Sequence, residues 1–218
     1  MGALTEELPK PMLPVRGKPL LEHVLNHLGE AGVRECGLIV GYHREVIERH
    51  FAGYPMGLTF IHQETIDGTA GAAKLARGFV GGDPFLMTYG DIWCGASDYR
   101  AVMAPVEEEP GTEATLAVKF VEDPFQGAAV YEEGGFIREI IEKPAKGTST
   151  TNWNSAGIYC FRASVFAEID RVPLSPRGEY EITSAIEQMI LAGKKLRAVE
   201  IRGVWRDIGR PEDLAAFG

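Results

Sequence analysis

Two aspartates stand where an α/β protein would place groups that bind a metal ion. Asp91 follows the largely apolar run of residues 85–90, and Asp207 follows residues 204–206. Ligands of α/β sheets gather at the carboxyl ends of the strands, and carboxylate oxygens suit hard divalent cations. Each aspartate, taken alone, fits the start of a helix equally well. Gly90, just before Asp91, would let a ligand approach the backbone.

Three further places could contact phosphate or a base. Lys10 lies between two prolines, whose stiff backbone would hold its ammonium group in one place; a solvated surface lysine is the alternative. Gln63 ends an apolar run, and residues 68–71, Gly-Thr-Ala-Gly, open a helical segment. A glycine-rich turn at a helix start can cradle phosphate or lie against a base.

A carboxylate and a cation are adjacent at Glu142 and Lys143, which are followed by Pro144. At the end of a strand this pair would suit a sugar hydroxyl and a phosphate, and a charged strand end without a ligand is the alternative. Two other chemistries have less support. His23 and His27 share one helix face but lack further metal ligands nearby, and no Gly-x-Ser-x-Gly segment presents a nucleophile.

Composition limits the partners of the chain. The 218 residues carry a net charge of −9, which argues against general binding to nucleic acids or anionic membranes. We found no apolar run long enough to span a bilayer and no signal peptide, so we expect a cytoplasmic protein. The three widely spaced cysteines predict reduced thiols rather than a disulfide framework.

The spacing of apolar residues predicts how these groups are positioned. In the first half, helices alternate with strands, which favours a parallel sheet with helices on both faces. The second half is richer in strands and includes a hairpin turn at residues 133–135, so we expect a more antiparallel arrangement on one continuous sheet. The predicted helices are 18–32, 44–51, 69–79, 163–170 and 180–191, and the predicted strands are 36–40, 58–62, 84–89, 114–121, 128–132, 136–142, 156–161 and 196–201.

The order of these segments resembles the sugar-1-phosphate nucleotidyltransferases, the family that makes nucleotide-diphosphate sugars, over nearly the whole chain. The resemblance implies a Rossmann-like three-layer α/β/α nucleotidyltransferase fold with a mixed central sheet. It further implies a single domain over residues 1–218, with a nucleotide-binding half to about residue 110 and a sugar-binding half from 111. The similar segments are residues 4–15, 17–20, 63, 68–70, 89–91, 127, 142–144, 175–182 and 205–209.

The resemblance also assigns roles. It implies a nucleoside triphosphate and a sugar 1-phosphate as partners and Mg²⁺ as the cofactor. The implied catalytic residues are Lys10, Asp91 and Asp207, of which Asp91 and Asp207 hold the metal. Nucleotide contacts fall on Gln63, Gly68, Thr69 and Gly90, and sugar-phosphate contacts on Gly127, Glu142, Lys143, Asn154 and Ser155. The amide of Gln63 would favour a pyrimidine base.

The chain departs from the family pattern in two places. Ser155 stands where the family usually has an asparagine that touches the sugar, and Asn154 directly precedes it. The family also opens with an apolar strand and a Gly-x-Gly-Thr-Arg-Leu loop, which would supply amides and an arginine to the triphosphate. Only three residues precede Leu4, so we expect this chain to lack that strand and loop and to transfer nucleotides poorly.

Three functions remain open from the sequence. The first is magnesium-dependent nucleotidyl transfer, and the second is a non-catalytic protein of the same fold that binds nucleotide sugars or regulates. A glycosyltransferase ranks third, because such enzymes normally carry an Asp-x-Asp motif, which is absent here. The 218 residues contain no hexapeptide repeats, so we expect no β-helix domain of the kind that some relatives carry. The sequence does not decide the base, the sugar or the oligomeric state, and a homo-oligomer is among the options.

Overall fold

The computed structural model describes residues 8–208 and residue 213, which form two compact units. The first unit contains the described residues up to Thr65, the segment Tyr89–Arg100 and the described residues from Gly203 onward. The second contains Ile66–Thr88 and Ala101–Arg202. Both units are discontinuous in sequence. The single domain with halves divided near residue 110 stays a prediction.

The first unit starts with a short 3₁₀ turn and a long amphipathic helix. The apolar residues of the helix recur at helical spacing and are buried, and the helix ends at Gly32, whose φ of 108° suits glycine. The elements are the 3₁₀ turn Lys10–Met12, β1 (Pro14–Val15), β2 (Lys18–Pro19), α1 (Leu20–Ala31), β3 (Glu35–Val40), α2 (Arg44–His50), β4 (Gly57–His62), β6 (Ile92–Trp93) and β12 (Arg206–Asp207).

Two strand pairs of this unit carry predicted site residues at their ends. Strands β3 and β4 are parallel, with Val40 opposite His62, so their carboxyl ends lie side by side. Strands β6 and β12 are antiparallel, with Asp207 opposite Ile92. Val15, Leu20 and Ile208 form a small core against which Trp93 packs, and this core anchors the β6–β12 pair.

The second unit is built on a six-stranded mixed sheet in the order β5-β10-β7-β11-β9-β8. Strand β11 is parallel to β7, whereas its pairing with β9 and the remaining pairs are antiparallel. The strands are β5 (Phe85–Thr88), β7 (Thr112–Phe120), β8 (Ala128–Glu133), β9 (Phe136–Glu142), β10 (Trp153–Phe161) and β11 (Lys195–Glu200). The helices are α3 (Thr69–Leu75), α4 (Arg77–Val80), α6 (Val165–Ile169) and α7 (Ile182–Leu191).

The apolar residues of β7, β10 and α7 form the core of this unit. Leu116, Ile158 and Ile186 are fully buried, and α7 contacts both α6 and β9. The predicted hairpin joins β8 to β9, and its turn residues Gly134 and Gly135 have φ values of 60° and 79°. Positive φ at both central residues is the geometry of a two-residue hairpin turn, which explains the two glycines.

The structure adds one helix and divides the sheet. Helix α5 (Ala96–Glu108) was not predicted; it contains Pro105, and its weak apolar pattern hid it from the sequence analysis. The expectation of one continuous sheet is not met, because the described strands pair as a six-stranded sheet and three two-stranded ones. The α/β class with a mixed central sheet is confirmed. Among the described residues, no helix has the length and apolarity needed to cross a membrane.

Candidate active site

The first unit brings Asp91 and Asp207 together. The backbone N–H of Ile208 donates to the carbonyl oxygen of Asp91 over 3.0 Å, directly beside the pairing of Asp207 with Ile92. Both aspartates therefore sit on neighbouring strand ends, although they are far apart in sequence. This short antiparallel ladder is the element that positions the two predicted metal ligands.

The electrostatics of this ladder disfavour two bare carboxylates. Burial raises the pKa of Asp91 above its ordinary value, and the charge of Asp207 raises it further. Desolvation also raises the pKa of Asp207, and the charge of the nearby Asp213 adds to the rise. Taken as a whole residue, Asp207 is exposed. Lys10 lowers the pKa of both carboxyls without cancelling these effects. Negative charge is thus concentrated beside one lysine.

Lys10 owes its position to the prolines around it. Pro9 is buried and extended, and the 3₁₀ turn begins directly after it at Lys10. The side chain of Lys10 is exposed while Met12 is buried, so the turn anchors the backbone and leaves the ammonium group at the surface. The sequence predicts a stiff extended backbone at Lys10, and the structure has a short turn there instead. A fixed position of the ammonium group stays a prediction.

Gly90 is close to protein atoms. A Cβ at this position would lie 3.2 Å from Cγ of Pro11 and 3.6 Å from Cδ1 of Leu21. Gly90 therefore lies close to the segment that carries Lys10. Because glycine has no side chain, the turn at Asp91 can pack against that segment. The nucleotide contact assigned to Gly90 stays a prediction.

Gln63 follows strand β4 and is tied to strand β3. Its backbone N–H donates to the carbonyl of Val40 over 2.8 Å, and a Cβ on Gly41 would lie 3.0 Å from the carbonyl oxygen of Gln63. The residue is half-buried at the carboxyl end of two parallel strands, where α/β proteins bind ligands.

In the second unit, Gly68 and Thr69 are held by a distant segment. A Cβ on Gly68 would lie 2.5 Å from the carbonyl oxygen of Tyr180, and the φ of Gly68 is 111°, so only glycine fits. Thr69 begins α3, and its hydroxyl oxygen accepts a hydrogen bond from the backbone N–H of Ile182 over 2.9 Å. The loop predicted to contact the nucleotide therefore packs against the start of α7 and the residue Tyr180 before it.

Glu142 ends strand β9 inside a cluster of charges. Nη2 of Arg177 lies 3.4 Å from Oε1 of Glu142, and Nε of the same arginine donates to Oε1 of Glu181 over 3.1 Å. Burial raises the pKa of Glu142, and the charge of Glu181 adds to it, while Thr183 and Arg177 act in the opposite direction. A half-buried carboxylate that faces one arginine can accept hydrogen bonds from ligand hydroxyls.

Lys143 has a backbone conformation that is unusual for its residue type. Its φ is 41°, in the left-handed region, and its side chain is exposed. The backbone N–H of Lys143 donates to the carbonyl of Gly127 over 2.7 Å, which holds this turn in place. Residues kept in such conformations cluster at ligand sites, because the fold must stabilise them.

Gly127, Asn154 and Ser155 lie on neighbouring elements. A Cβ on Gly127 would collide with the carboxamide of Asn154, so the glycine leaves space for that side chain. Asn154 is buried, and its Nδ2 donates to the carbonyl of Ser155. The hydroxyl of Ser155 lies 3.0 Å from that of Tyr159, across an irregularity in β10 where Gly157 has a φ of 71°.

The predicted residues thus form two groups, one in each unit. Lys10, Asp91 and Asp207 come together in the first unit, where Gly90 and Gln63 also lie. The second unit holds Gly68, Thr69, Gly127, Glu142, Lys143, Asn154 and Ser155. The predicted residues did not include Arg177 and Glu181, which lie in the charge cluster around Glu142. Residues 175–182 were noted only as a similar segment, and the charge pattern Arg-Gly-Glu-Tyr-Glu was the available signal.

The carboxylate pair fits a magnesium ion. Mg²⁺ prefers oxygen ligands and is held by one or two carboxylates together with substrate phosphates. Asp91 and Asp207 supply such a pair, and a cation would offset the burial and the repulsion by Asp207 that raise the pKa of Asp91. Across the described part of the chain, no cluster of three or more histidine, cysteine or acidic side chains forms a complete protein cage for a metal.

Comparisons with known proteins identify the family of the chain. The sequence model of the family described as Nucleotidyl transferase matches residues 2–217. The chain is 37% identical over 213 residues to the bifunctional protein GlmU of Methanococcus maripaludis, covering 97% of this chain and 49% of that protein. It is 35% identical over 216 residues to the UTP–glucose-1-phosphate uridylyltransferase AglF of Haloferax volcanii, covering 96% of this chain and 86% of AglF.

A solved structure shows the same fold. UDP-glucose pyrophosphorylase complexed with UDP-glucose matches with a TM-score of 0.85 at 20% identity, over 99% of this chain and 91% of that one. The chain therefore belongs to the nucleotidyl transferase family, among its sugar-1-phosphate nucleotidyltransferases. It spans about half the length of GlmU, at 49% of that protein.

Proposed function

We propose that this chain catalyses the reaction of UTP with glucose 1-phosphate to give UDP-glucose and pyrophosphate. The observation that supports the proposal is the group of Asp91, Asp207 and Lys10, in which two acidic side chains on neighbouring strand ends lie near one lysine. The similarity to AglF, a UTP–glucose-1-phosphate uridylyltransferase, supports the choice of substrates.

In the proposed reaction, a phosphate oxygen of glucose 1-phosphate attacks the α-phosphorus of UTP. The bond from that phosphorus to the bridging oxygen breaks, and pyrophosphate leaves. The attacking phosphate is already ionised, so no general base is required, and no covalent enzyme intermediate forms. Positioning and charge stabilisation provide the catalysis.

Each group has a defined task in this proposal. Asp91 and Asp207 would hold Mg²⁺, which would polarise the α-phosphate when bound. Lys10 would neutralise triphosphate charge, and Lys143 would pair with the sugar phosphate. Glu142 would accept hydrogen bonds from sugar hydroxyls, with Gly127, Asn154 and Ser155 around the sugar. Gln63 would read the pyrimidine edge, since its amide offers one donor and one acceptor.

A pyrophosphate-release assay tests the reaction. We expect release only when glucose 1-phosphate, Mg²⁺ and a pyrimidine nucleotide are all present, with UTP preferred among UTP, dTTP, CTP and GTP. A clear preference for GTP would contradict the role of Gln63. Release that does not depend on the sugar phosphate would contradict the proposed reaction.

We further propose that a polypeptide of these 218 residues alone transfers slowly. It contains no Gly-x-Gly-Thr-Arg-Leu segment to supply amides and an arginine to the triphosphate. Loss of one preorganised donor typically costs about 10²–10³ in rate, so a deficit of about 10³ or more is expected. A chain with a family-like first strand and loop placed before Leu4 should recover this rate.

The same comparison separates catalysis from binding. If both polypeptides bind UDP-glucose in a Mg²⁺-dependent manner but neither turns over, the chain is a nucleotide-sugar binding or regulatory protein of this fold. Ordinary turnover by the 218-residue polypeptide would show that the loop is dispensable.

A further inference from the structure

A set of backbone hydrogen bonds joins the loop before α3 to the segment before α7. The N–H of Ala70 donates to the carbonyl of Tyr180 over 2.8 Å, and the N–H of Tyr180 donates to the carbonyl of Asp67 over 2.7 Å. We refer to residues 67–70 and 180–182 together as the loop contact. Both sides of this contact belong to the second unit.

Thr69 adds the side-chain part of the loop contact. Helix α7 starts at Ile182, and Glu181, the residue at its N-cap position, makes no side-chain capping hydrogen bond. The hydroxyl oxygen of Thr69 instead accepts the N–H of Ile182 over 2.9 Å. The first amides of a helix have no partner within the helix. The hydroxyl of Thr69, from a distant part of the chain, accepts the hydrogen bond of the first of these amides in α7.

The carboxylate of Glu181 makes no capping bond and serves another contact. Its Oε1 accepts from Nε of Arg177 at 3.1 Å and lies 3.0 Å from Nη2 of the same residue, and the Glu181 side chain is only 7% exposed. Nη2 of Arg177 also lies 3.4 Å from Glu142. A continuous chain of contacts thus runs from Thr69 through the start of α7 to Arg177 and Glu142.

We propose that Thr69 is a positioning residue for the sugar-phosphate side of the site. Its hydroxyl fixes the start of α7 and so keeps Glu181 and Arg177 in place beside Glu142. The inference rests on the proposed function for the role of Glu142, and it assigns the hydroxyl of Thr69 to the sugar side rather than to the nucleotide. If Thr69 contacted only the nucleotide, its substitution would change KM for UTP instead of KM for glucose 1-phosphate.

Two substitutions at Thr69 test this role in the transfer assay. Thr69→Val keeps the shape and removes the hydroxyl, and Thr69→Ser keeps the hydroxyl. Loss of one hydrogen bond should raise KM for glucose 1-phosphate about three- to ten-fold in Thr69→Val, while kcat and KM for UTP stay within about two-fold. Thr69→Ser should restore the wild-type value. Thr59→Val, on an exposed position of β4, is the matched control and should change neither KM.

Amide hydrogen exchange tests the same contact without any ligand. In Thr69→Val, exchange should rise in residues 177–182 and remain unchanged in β7, whereas Thr69→Ser should match the wild type. Equal exchange in all three proteins, uniform acceleration over the whole chain, or a KM effect confined to UTP would overturn the inference. If wild-type protein shows no transfer or binding, the proposed function fails, and the exchange comparison still decides whether Thr69 positions residues 177–182.

Discussion

Arg177 donates through Nε to the buried carboxylate of Glu181 over 3.1 Å, and its Nη2 lies 3.4 Å from Glu142. Burial and then the charge of Glu181 raise the pKa of Glu142, so the two carboxylates repel each other. A guanidinium group is planar and always charged, and it can serve two acceptors with fixed geometry. Arg177 therefore both offsets this repulsion and fixes the direction of Glu142.

Substitution of Arg177 should weaken the sugar-phosphate side selectively. Arg177→Lys keeps the charge but loses the fork that reaches two carboxylates, so KM for glucose 1-phosphate should rise about ten-fold, and more in Arg177→Ala. KM for UTP should change little. Arg138→Lys on β9, where Arg138 forms an exposed ion pair with Glu133, is the control. If Arg177→Lys behaves like that control, the fork has no role.

Removal of the charge of Glu142 should stabilise the protein while it impairs binding. The pKa of Glu142 is raised in the folded chain, so the folded state binds more protons than the unfolded state between the two pKa values. The contribution of Glu142 to stability is therefore largest at low pH and falls as pH rises through the folded pKa. Glu142→Gln cannot ionise and should unfold at higher temperature than wild type at about pH 8, with a smaller difference near pH 4.

Two measurements complete this prediction. Thermal unfolding followed at several pH values gives the difference in stability, and calorimetric titration with glucose 1-phosphate should show weaker binding by Glu142→Gln. Glu139→Gln, at an exposed position of the same strand, should change neither quantity. A Glu142→Gln protein that is less stable than wild type at about pH 8 would mean that the ion pair with Arg177 outweighs the cost of burial.

Much of the fold could be predicted because its strands are separated by clear turn signals. The hairpin at Gly134 and Gly135 and strand β9 fall where the sequence analysis placed them. Helix α5 could not be predicted in the same way, since Pro105 and a polar composition mask its period. The pairing of strands depends on neighbours distant in sequence, so the division into separate sheets was not readable either.

The candidate site could be predicted from the sequence only in part, because its contacts join residues that are distant in sequence. Motifs identified Asp91 and Asp207, but their approach depends on the ladder between β6 and β12, which no local pattern reveals. Thr69 was readable as a loop residue, whereas its bond to Ile182 requires the tertiary fold. The left-handed backbone of Lys143 was also hidden, because lysine gives no signal for that conformation.

Neutralisation of either aspartate of the proposed metal site should weaken the dependence of the transfer rate on Mg²⁺. Asp91→Asn and Asp207→Asn keep the shape but lose a charged oxygen ligand, so each should lower the transfer rate at least about 10²-fold and weaken the response to added Mg²⁺. The assay is the initial rate at increasing Mg²⁺. Asp83→Asn, at an exposed position, should behave as wild type. Unchanged Mg²⁺ curves in both site variants would remove the metal assignment.

A side chain at Gly68 should destabilise the protein, and by more than a side chain at a glycine that has open space around it. A methyl group there would lie 2.5 Å from the carbonyl oxygen of Tyr180 on a backbone with φ of 111°, so the loop contact must open. Left-handed strain alone costs about 1–3 kcal/mol, and the collision adds to it, so Gly68→Ala should lower the free energy of unfolding by at least about 2 kcal/mol. Gly78→Ala is the control, because an added Cβ meets nothing within 4 Å in helix α4, where alanine is favoured by up to about 1 kcal/mol. Urea unfolding of both variants measures the difference, and equal midpoints would show that the backbone of Tyr180 does not approach Gly68 in solution.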